Sequence, residues 1–90
     1  MIKHYRIHIR GTVQGVWFRK YTQEAALRNN LLGLVKNEKD GSVYVEAEGE
    51  EEDLDLFIQW LYTGSPLSKV KEVKWEEGSL QHFKRFDISR

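Results

Sequence analysis

Tyr5-Arg6-Ile7-His8-Ile9-Arg10-Gly11-Thr12-Val13, followed across Gln14-Gly15-Val16-Trp17 by Phe18-Arg19-Lys20-Tyr21-Thr22-Gln23-Glu24-Ala25-Ala26-Leu27-Arg28, is the stretch that decides the fold class. Its first half alternates strictly, with Tyr5, Ile7 and Ile9 on one face and His4, Arg6, His8 and Arg10 on the other. A period of two with one apolar side is the pattern of a half-buried strand whose other face is solvated. After the glycine-containing break the period changes. Phe18, Tyr21, Thr22 and Ala25 fall on one helical stripe, and Asn29-Asn30 supplies a left-handed exit. A strand therefore feeds a helix through a short turn.

Working outward, the runs Leu32 to Glu38 and Ser42 to Glu48 flank Lys39-Asp40-Gly41, whose Asp-Gly pair is a strong hairpin signal. Val43, Val45 and Ala47 share the face opposite Tyr44, Glu46 and Glu48. Glu50-Glu51-Glu52-Asp53 then opens a second helix, its carboxylates suited to the positive end of the helix dipole. Leu54, Phe57, Ile58 and Leu61 form its stripe, and Gly64-Ser65-Pro66 stops it. Val70 to Glu77 reads as a fourth strand, in which the differing parity of Val70 and Val73 calls for a bulge. Phe86 and Ile88 mark a short extra C-terminal strand. The order βαββαβ predicts an α+β sandwich of ferredoxin-like type, both helices on one face of a mainly antiparallel sheet.

At 90 residues the chain, residues 1–90, is expected to be one domain. Folding at this mass buries about 64% of the unfolded surface, enough for one ordinary core. The absence of Cys excludes disulfides, thiolate metal sites and thiol nucleophiles. The start lacks a long apolar leader segment, and no run approaches the ~18 apolar residues of a membrane span, so a cytoplasmic protein without membrane partners is expected. Net charge is zero, which argues against a general nucleic-acid binder, yet its distribution is uneven. Residues 1–45 carry eight Lys or Arg against three acids, and residues 46–90 carry six against eleven, so anion binding belongs in the first half.

Within that half, Gly11-Thr12-Val13-Gln14-Gly15-Val16-Trp17-Phe18-Arg19 joins the first strand to the first helix. Two glycines four residues apart permit a sharp turn whose N–H groups point into one concavity, where the helix N-terminus adds its dipole. Arg19, in the first helical turn, can curl back over that concavity and clamp a tetrahedral anion. The spacing is neither that of a Walker loop nor Gly-x-Gly-x-x-Gly. On spacing alone, an ordinary turn with an exposed Arg19 competes with this reading, and Asn37 reads first as a turn-favouring residue ahead of Asp40-Gly41.

Gly11-x-Val13-Gln14-Gly15-Val16-x-Phe18-Arg19, followed by Gly33-x-Val35-x-Asn37-x-x-Asp40-Gly41-x-Val43, resembles the signature pair of the acylphosphatase family. The likeness continues through Phe57-Ile58-x-Trp60-Leu61, Gly64-Ser65-Pro66, Lys69-Val70 and Phe86-Asp87-Ile88, with departures at Asn29, Leu34 and Lys36. The resemblance implies a hydrolase that splits acyl phosphates into a carboxylate and inorganic phosphate. It implies a phosphate-binding loop of Gln14, Gly15, Val16, Trp17, Phe18 and Arg19, with Arg19 as clamp and Asn37 holding the attacking water. A cradle of amides with one Arg can stabilise the transferring phosphoryl group without a metal or cofactor, and a monomer is expected by default, with inorganic phosphate as both product and competitive inhibitor.

The residue types fit such chemistry independently. Apart from Thr12 at its entrance, the loop offers no side chain that could be phosphorylated, so water attacks directly. No general acid is apparent, which suits a carboxylate leaving group better than an alkoxide. Two other classes remain at this stage: a non-catalytic module that binds a phosphorylated ligand, and an RNA binder using the His4, Arg6, His8, Arg10 stripe. The stripe lacks the aromatic pair that would stack bases, and Glu46 and Glu48 offer it cross-strand partners. His4 and His8, about 13 Å apart along a strand, cannot share a metal ion and are expected to be solvated. Trp60, Trp75, Phe57 and Phe83 read as core or edge packing, whereas Trp17 stands where it could meet the acyl group.

Overall fold

The computed structural model describes residues 1–89. Its elements are β1 (Ile2–Thr12), α1 (Phe18–Arg28), β2 (Leu32–Asn37), β3 (Val43–Glu50), α2 (Glu51–Thr63), β4 (Lys69–Gly78) and β5 (Phe86–Ile88). The strands form one sheet in the order β4-β1-β3-β2-β5. β1 runs antiparallel to both β3 and β4, β2 antiparallel to β3, and the short β5 parallel to β2, with Val35 opposite Ile88. This is the ferredoxin-like sandwich with an extra C-terminal strand at the sheet edge.

The core follows from the alternation in the strands. Ile7 pairs with Val45 and Ile9 with Val43, so their side chains leave the sheet on the same side. There they meet Phe18, Ala25 and Ala26 of α1 and Leu54, Phe57, Ile58 and Leu61 of α2, all buried. Each fully buried Leu or Phe contributes about 1.5–3 kcal/mol. The acids Glu51, Glu52 and Asp53 occupy the first turn of α2, where the dipole favours them. The expected bulge is present on β4: Arg10 pairs with Glu72 and Gly11 with Val70, leaving Lys71 as the extra residue. That insertion returns Val70 to the side of Val73, so both pack on the core. Gly11 is confined by this geometry, because a Cβ there would stand 2.1 Å from the Lys69 carbonyl oxygen.

Two expectations need correction. Tyr21 is exposed, and Ala26 takes its place on the buried stripe of α1 with Phe18, Thr22 and Ala25. Both positions lie near the edge of a helical stripe, and the small Ala26 fits against the sheet where a phenol ring would not. His4 is not solvated but 2% exposed. The segment between β4 and β5 crosses the otherwise open face of the sheet and covers it there. Phe83 of that segment stacks on the His4 ring at 5.9 Å, while His4 Nδ1 and Nε2 lie 2.9 Å from Glu48 and 3.1 Å from Glu46.

Glu48, also buried, pins the crossing segment by accepting the backbone N–H groups of Gln81 and Phe83. Burial pushes its carboxyl pKa up, but those two amides and His4 outweigh burial and hold it below the ordinary 4.5. The folded state thus binds the Glu48 proton less readily than the unfolded chain does. Its stabilising effect is complete above about pH 4.5 and is lost as pH falls through the lower folded value. Glu48→Gln should therefore be less stable than the wild type at pH 7, with a smaller further loss on acidification. Urea midpoints at pH 7 and pH 3.5 test this, and an equal acid loss in both proteins would contradict it.

Candidate functional site

The segment between β1 and α1 is held by apolar pins. Val13 and Phe18 are each 1% exposed and Val16 packs against the core, whereas Trp17 between them is 75% exposed. The backbone turns through left-handed conformations at Gly15 (φ 73°) and Trp17 (φ 61°, ψ 18°), with Val16 at negative φ between them. Residues alternating in this way turn successive N–H groups towards a common centre, making an anion-binding nest. Trp17 caps α1 without a side-chain hydrogen bond, so the first-turn amides are not satisfied from within the helix. Among the described residues, none of the backbone N–H groups from Gln14 to Arg19 donates to another group of the chain. Their concavity coincides with the positive end of α1.

Arg19 and Asn37 meet at this place from different elements. A cleft of about 480 Å³ is lined by Val13, Gly15, Trp17, Phe18, Arg19, Lys20, Asn37 and Ile88. Asn37 ends β2 and has the parity of Val35, which carries it to the helix-covered side of the sheet. Its Oδ1 is buried and finds no hydrogen-bond partner among the described residues. A buried acceptor left this way costs about 1–3 kcal/mol, so the fold holds it there at the expense of stability. Arg19 is half-buried, and its Nη1 donates to the Ser89 carbonyl oxygen at 2.9 Å. With one of five donors fixed, the guanidinium is oriented and still has N–H groups for an anion. Ser89 is itself placed by donating its N–H to Val35 O at 2.8 Å, an extension of the β2–β5 pairing.

Not every residue of the expected loop lines the cleft. The Gln14 side chain turns away and donates from Nε2 to Glu38 O and Ser42 O, both at 2.8 Å, tying the loop to the turn just beyond Asn37. Val16 points into the core, so these two can offer the concavity only backbone N–H groups. Lys20 and Ile88 line the cleft, and Ser89 reaches Arg19 through its carbonyl, without having been expected there. Lys20 was adjacent to the motif and could have been flagged as a second cation in the first turn of α1. For Ile88 and Ser89 no local signal existed, since only parallel pairing across the chain brings them near. The basic stripe on the other face is already matched by acids: Arg6 with Glu76 at 3.1 Å, and Arg10 near Asp40 and Glu72.

The acylphosphatase family profile matches residues 5–88. An acylphosphatase of Bacillus licheniformis is 48% identical over 86 residues, spanning 94% of this chain and 96% of that protein. The crystal structure of acylphosphatase from Bacillus subtilis superposes with a TM-score of 0.96 at 43% identity, covering 100% of both chains. An acylphosphatase structure from Coxiella burnetii gives 0.95 at 32% identity, over 98% of this chain and 93% of that one.

The left-handed residues of the loop carry a measurable cost. Placing a non-glycine residue at such φ costs roughly 1–2 kcal/mol, and the Trp17 side chain, being exposed, recovers little of it by packing. Trp17→Gly should therefore be about 1 kcal/mol more stable than Trp17→Ala. Thermal unfolding of the two variants measures the difference, and an alanine variant as stable as the glycine variant would contradict the assigned backbone.

Proposed function

From the premise that the chain belongs to the acylphosphatase family and hydrolyses acyl phosphates to a carboxylate and inorganic phosphate, we propose that Arg19 and Asn37 are its catalytic residues. The Gln14 to Arg19 amides hold the phosphoryl group, and residues 1–90 act as one domain. The observation that carries this reading is the meeting, in one cleft, of undonated loop amides, an oriented guanidinium and the unpartnered Asn37 oxygen.

The phosphoryl oxygens accept from the loop amides and from the free Arg19 N–H groups. Phosphoryl transfer of the loose kind spreads charge over those oxygens, and preformed donors stabilise it without reorganising as the reaction proceeds. Asn37 Oδ1 accepts a hydrogen bond from a water molecule and aims a lone pair of that water at phosphorus. The new oxygen–phosphorus bond forms as the bond to the acyl oxygen breaks, and the electron pair leaves with the carboxylate. The water proton passes to a phosphoryl oxygen, since a carboxamide is too weak a base to take it. A carboxylate departs without a proton, so no general acid is required.

Among the described residues, the cleft-lining side chains include no hydroxyl, thiol, imidazole or carboxylate, which supports direct attack by water over a phosphoenzyme. They also include no oxygen-rich anionic set of the kind that holds divalent cations, which supports a metal-free reaction. Trp17 and Ile88, partly exposed on the cleft wall, offer an apolar surface to the acyl group. Inorganic phosphate, as product, competes for the cradle. The protein works as a cytoplasmic monomer; no helix among the described residues is long and apolar enough to cross a membrane.

Benzoyl phosphate hydrolysis with excess chelator tests this reading. Turnover should persist undiminished, with inorganic phosphate a competitive inhibitor, and Arg19→Ala should lose on the order of 10² or more in kcat/KM. No His lines the cleft, so the rate should follow only substrate ionisation between about pH 6 and 8, where an ordinary His titrates. Loss of activity in chelator, or full activity in Arg19→Ala, would overturn the mechanism.

A further inference from the structure

Gly64-Ser65-Pro66 ends α2, yet a helix stop does not require a buried hydroxyl at its centre. Ser65 is 2% exposed, and its Oγ donates to the Val16 carbonyl oxygen at 2.9 Å, across 49 residues of chain. Ser65 is itself immobilised: its carbonyl oxygen accepts both the Ser68 N–H at 3.0 Å and the Ser68 hydroxyl at 2.8 Å, closing a turn with Pro66 at its second position. Gly64, buried beside Phe18 at a φ of 71°, brings that turn against the back of the loop.

We propose that Ser65 is a positioning residue for the phosphoryl group, acting through the Val16–Trp17 peptide; this rests on the loop being the phosphate cradle. The peptide unit is planar and trans, so its C=O and N–H point in opposite directions. Holding the Val16 carbonyl towards Ser65, behind the loop, turns the Trp17 N–H to the opposite side, into the concavity. Trp17 is the non-glycine residue of the loop in a left-handed conformation, so this peptide is the one with most to gain from flipping. With Ser65 in place, a flip would leave the buried Ser65 hydroxyl without its acceptor and would present the Val16 carbonyl oxygen to the anion. Gln14 cannot substitute, because its bonds run from its side chain to the β2–β3 turn and fix no peptide of the loop.

The test is a titration of inorganic phosphate into isotope-labelled wild type, Ser65→Ala and Ser65→Thr, following the Gly15 and Trp17 amide resonances. In the wild type both resonances should move. Ser65→Ala should weaken phosphate on the order of tenfold, and its Trp17 amide should move far less at saturation while Gly15 still responds. Ser65→Thr, which keeps the hydroxyl, should bind within about threefold of wild type. A purely structural role would lower the unfolding temperature and leave the saturated Trp17 shift intact. Should Ser65→Ala fail to fold, Ser65→Cys, close in size and a weak donor, is read by the same criteria. An alanine variant with wild-type affinity and a full Trp17 shift would overturn the role of Ser65 alone. Loop amides that ignore phosphate in the wild type would overturn the cradle, and the proposal with it.

Discussion

The chain must leave β1 and enter α1 within the five residues from Val13 to Trp17, and α1 must lie back on the same face of the sheet that Ile7 and Ile9 present. Left-handed backbone at Gly15 and Trp17 meets that demand, and most of the site is its consequence. The turn directs a row of N–H groups to one side, and among the described residues no carbonyl comes to satisfy them. Buried Val13 and Phe18 fix its ends, Gln14 fastens it to the β2–β3 turn, and Ser65 fastens it to the turn after α2. Because the Gln14 and Ser65 tethers pull the loop away from the concavity, it has little room to collapse into it. A rigid row of such donors is suited to an anion.

The remaining parts of the site depend on pairings that are long in sequence. Arg19 is steered by a carbonyl 70 residues away, and that carbonyl is placed by β5 running parallel to β2. β5 reaches this edge because the preceding segment crosses the sheet, held down by Glu48 and by the stack of Phe83 on His4. The buried His4–Glu48 pair on one face thus secures the route of the chain to a guanidinium on the other. Charge is handled with similar economy: the outer basic stripe is matched by acids, while among the described residues no acidic side chain lines the cleft.

Features governed by local periodicity were legible in the sequence. The bounds of α1, the buried stripe of α2, the hairpin at Asp40-Gly41, the bulge near Val70 and the extra strand at Phe86 all follow from spacing and turn chemistry, and the structure carries each of them. Arg19 and Asn37 were marked by the resemblance to the acylphosphatase signature pair and not by spacing, which left Arg19 open to an ordinary turn and made Asn37 a turn residue; the structure brings both to one cleft. What was not legible arises where a distant segment changes the surroundings of a residue. His4 alternates as a solvent-facing residue should, and only the crossing segment buries it. Ser65 reads as a helix stop until its hydroxyl is seen on Val16. Ser89, near the chain end, has no pattern of its own and gains its role from a parallel pairing that no local rule anticipates.

The proposed mechanism rests on a division of labour in which the loop and Arg19 would bind the phosphoryl group and Asn37 would add only the water. The most direct test measures phosphate binding and benzoyl phosphate turnover on the same folded Asn37→Ala protein. The account predicts phosphate affinity within about threefold of wild type together with a loss of kcat on the order of 10² or more. An Asn37→Ala enzyme that turns over at the wild-type rate, or that loses phosphate binding in proportion to activity, would contradict it.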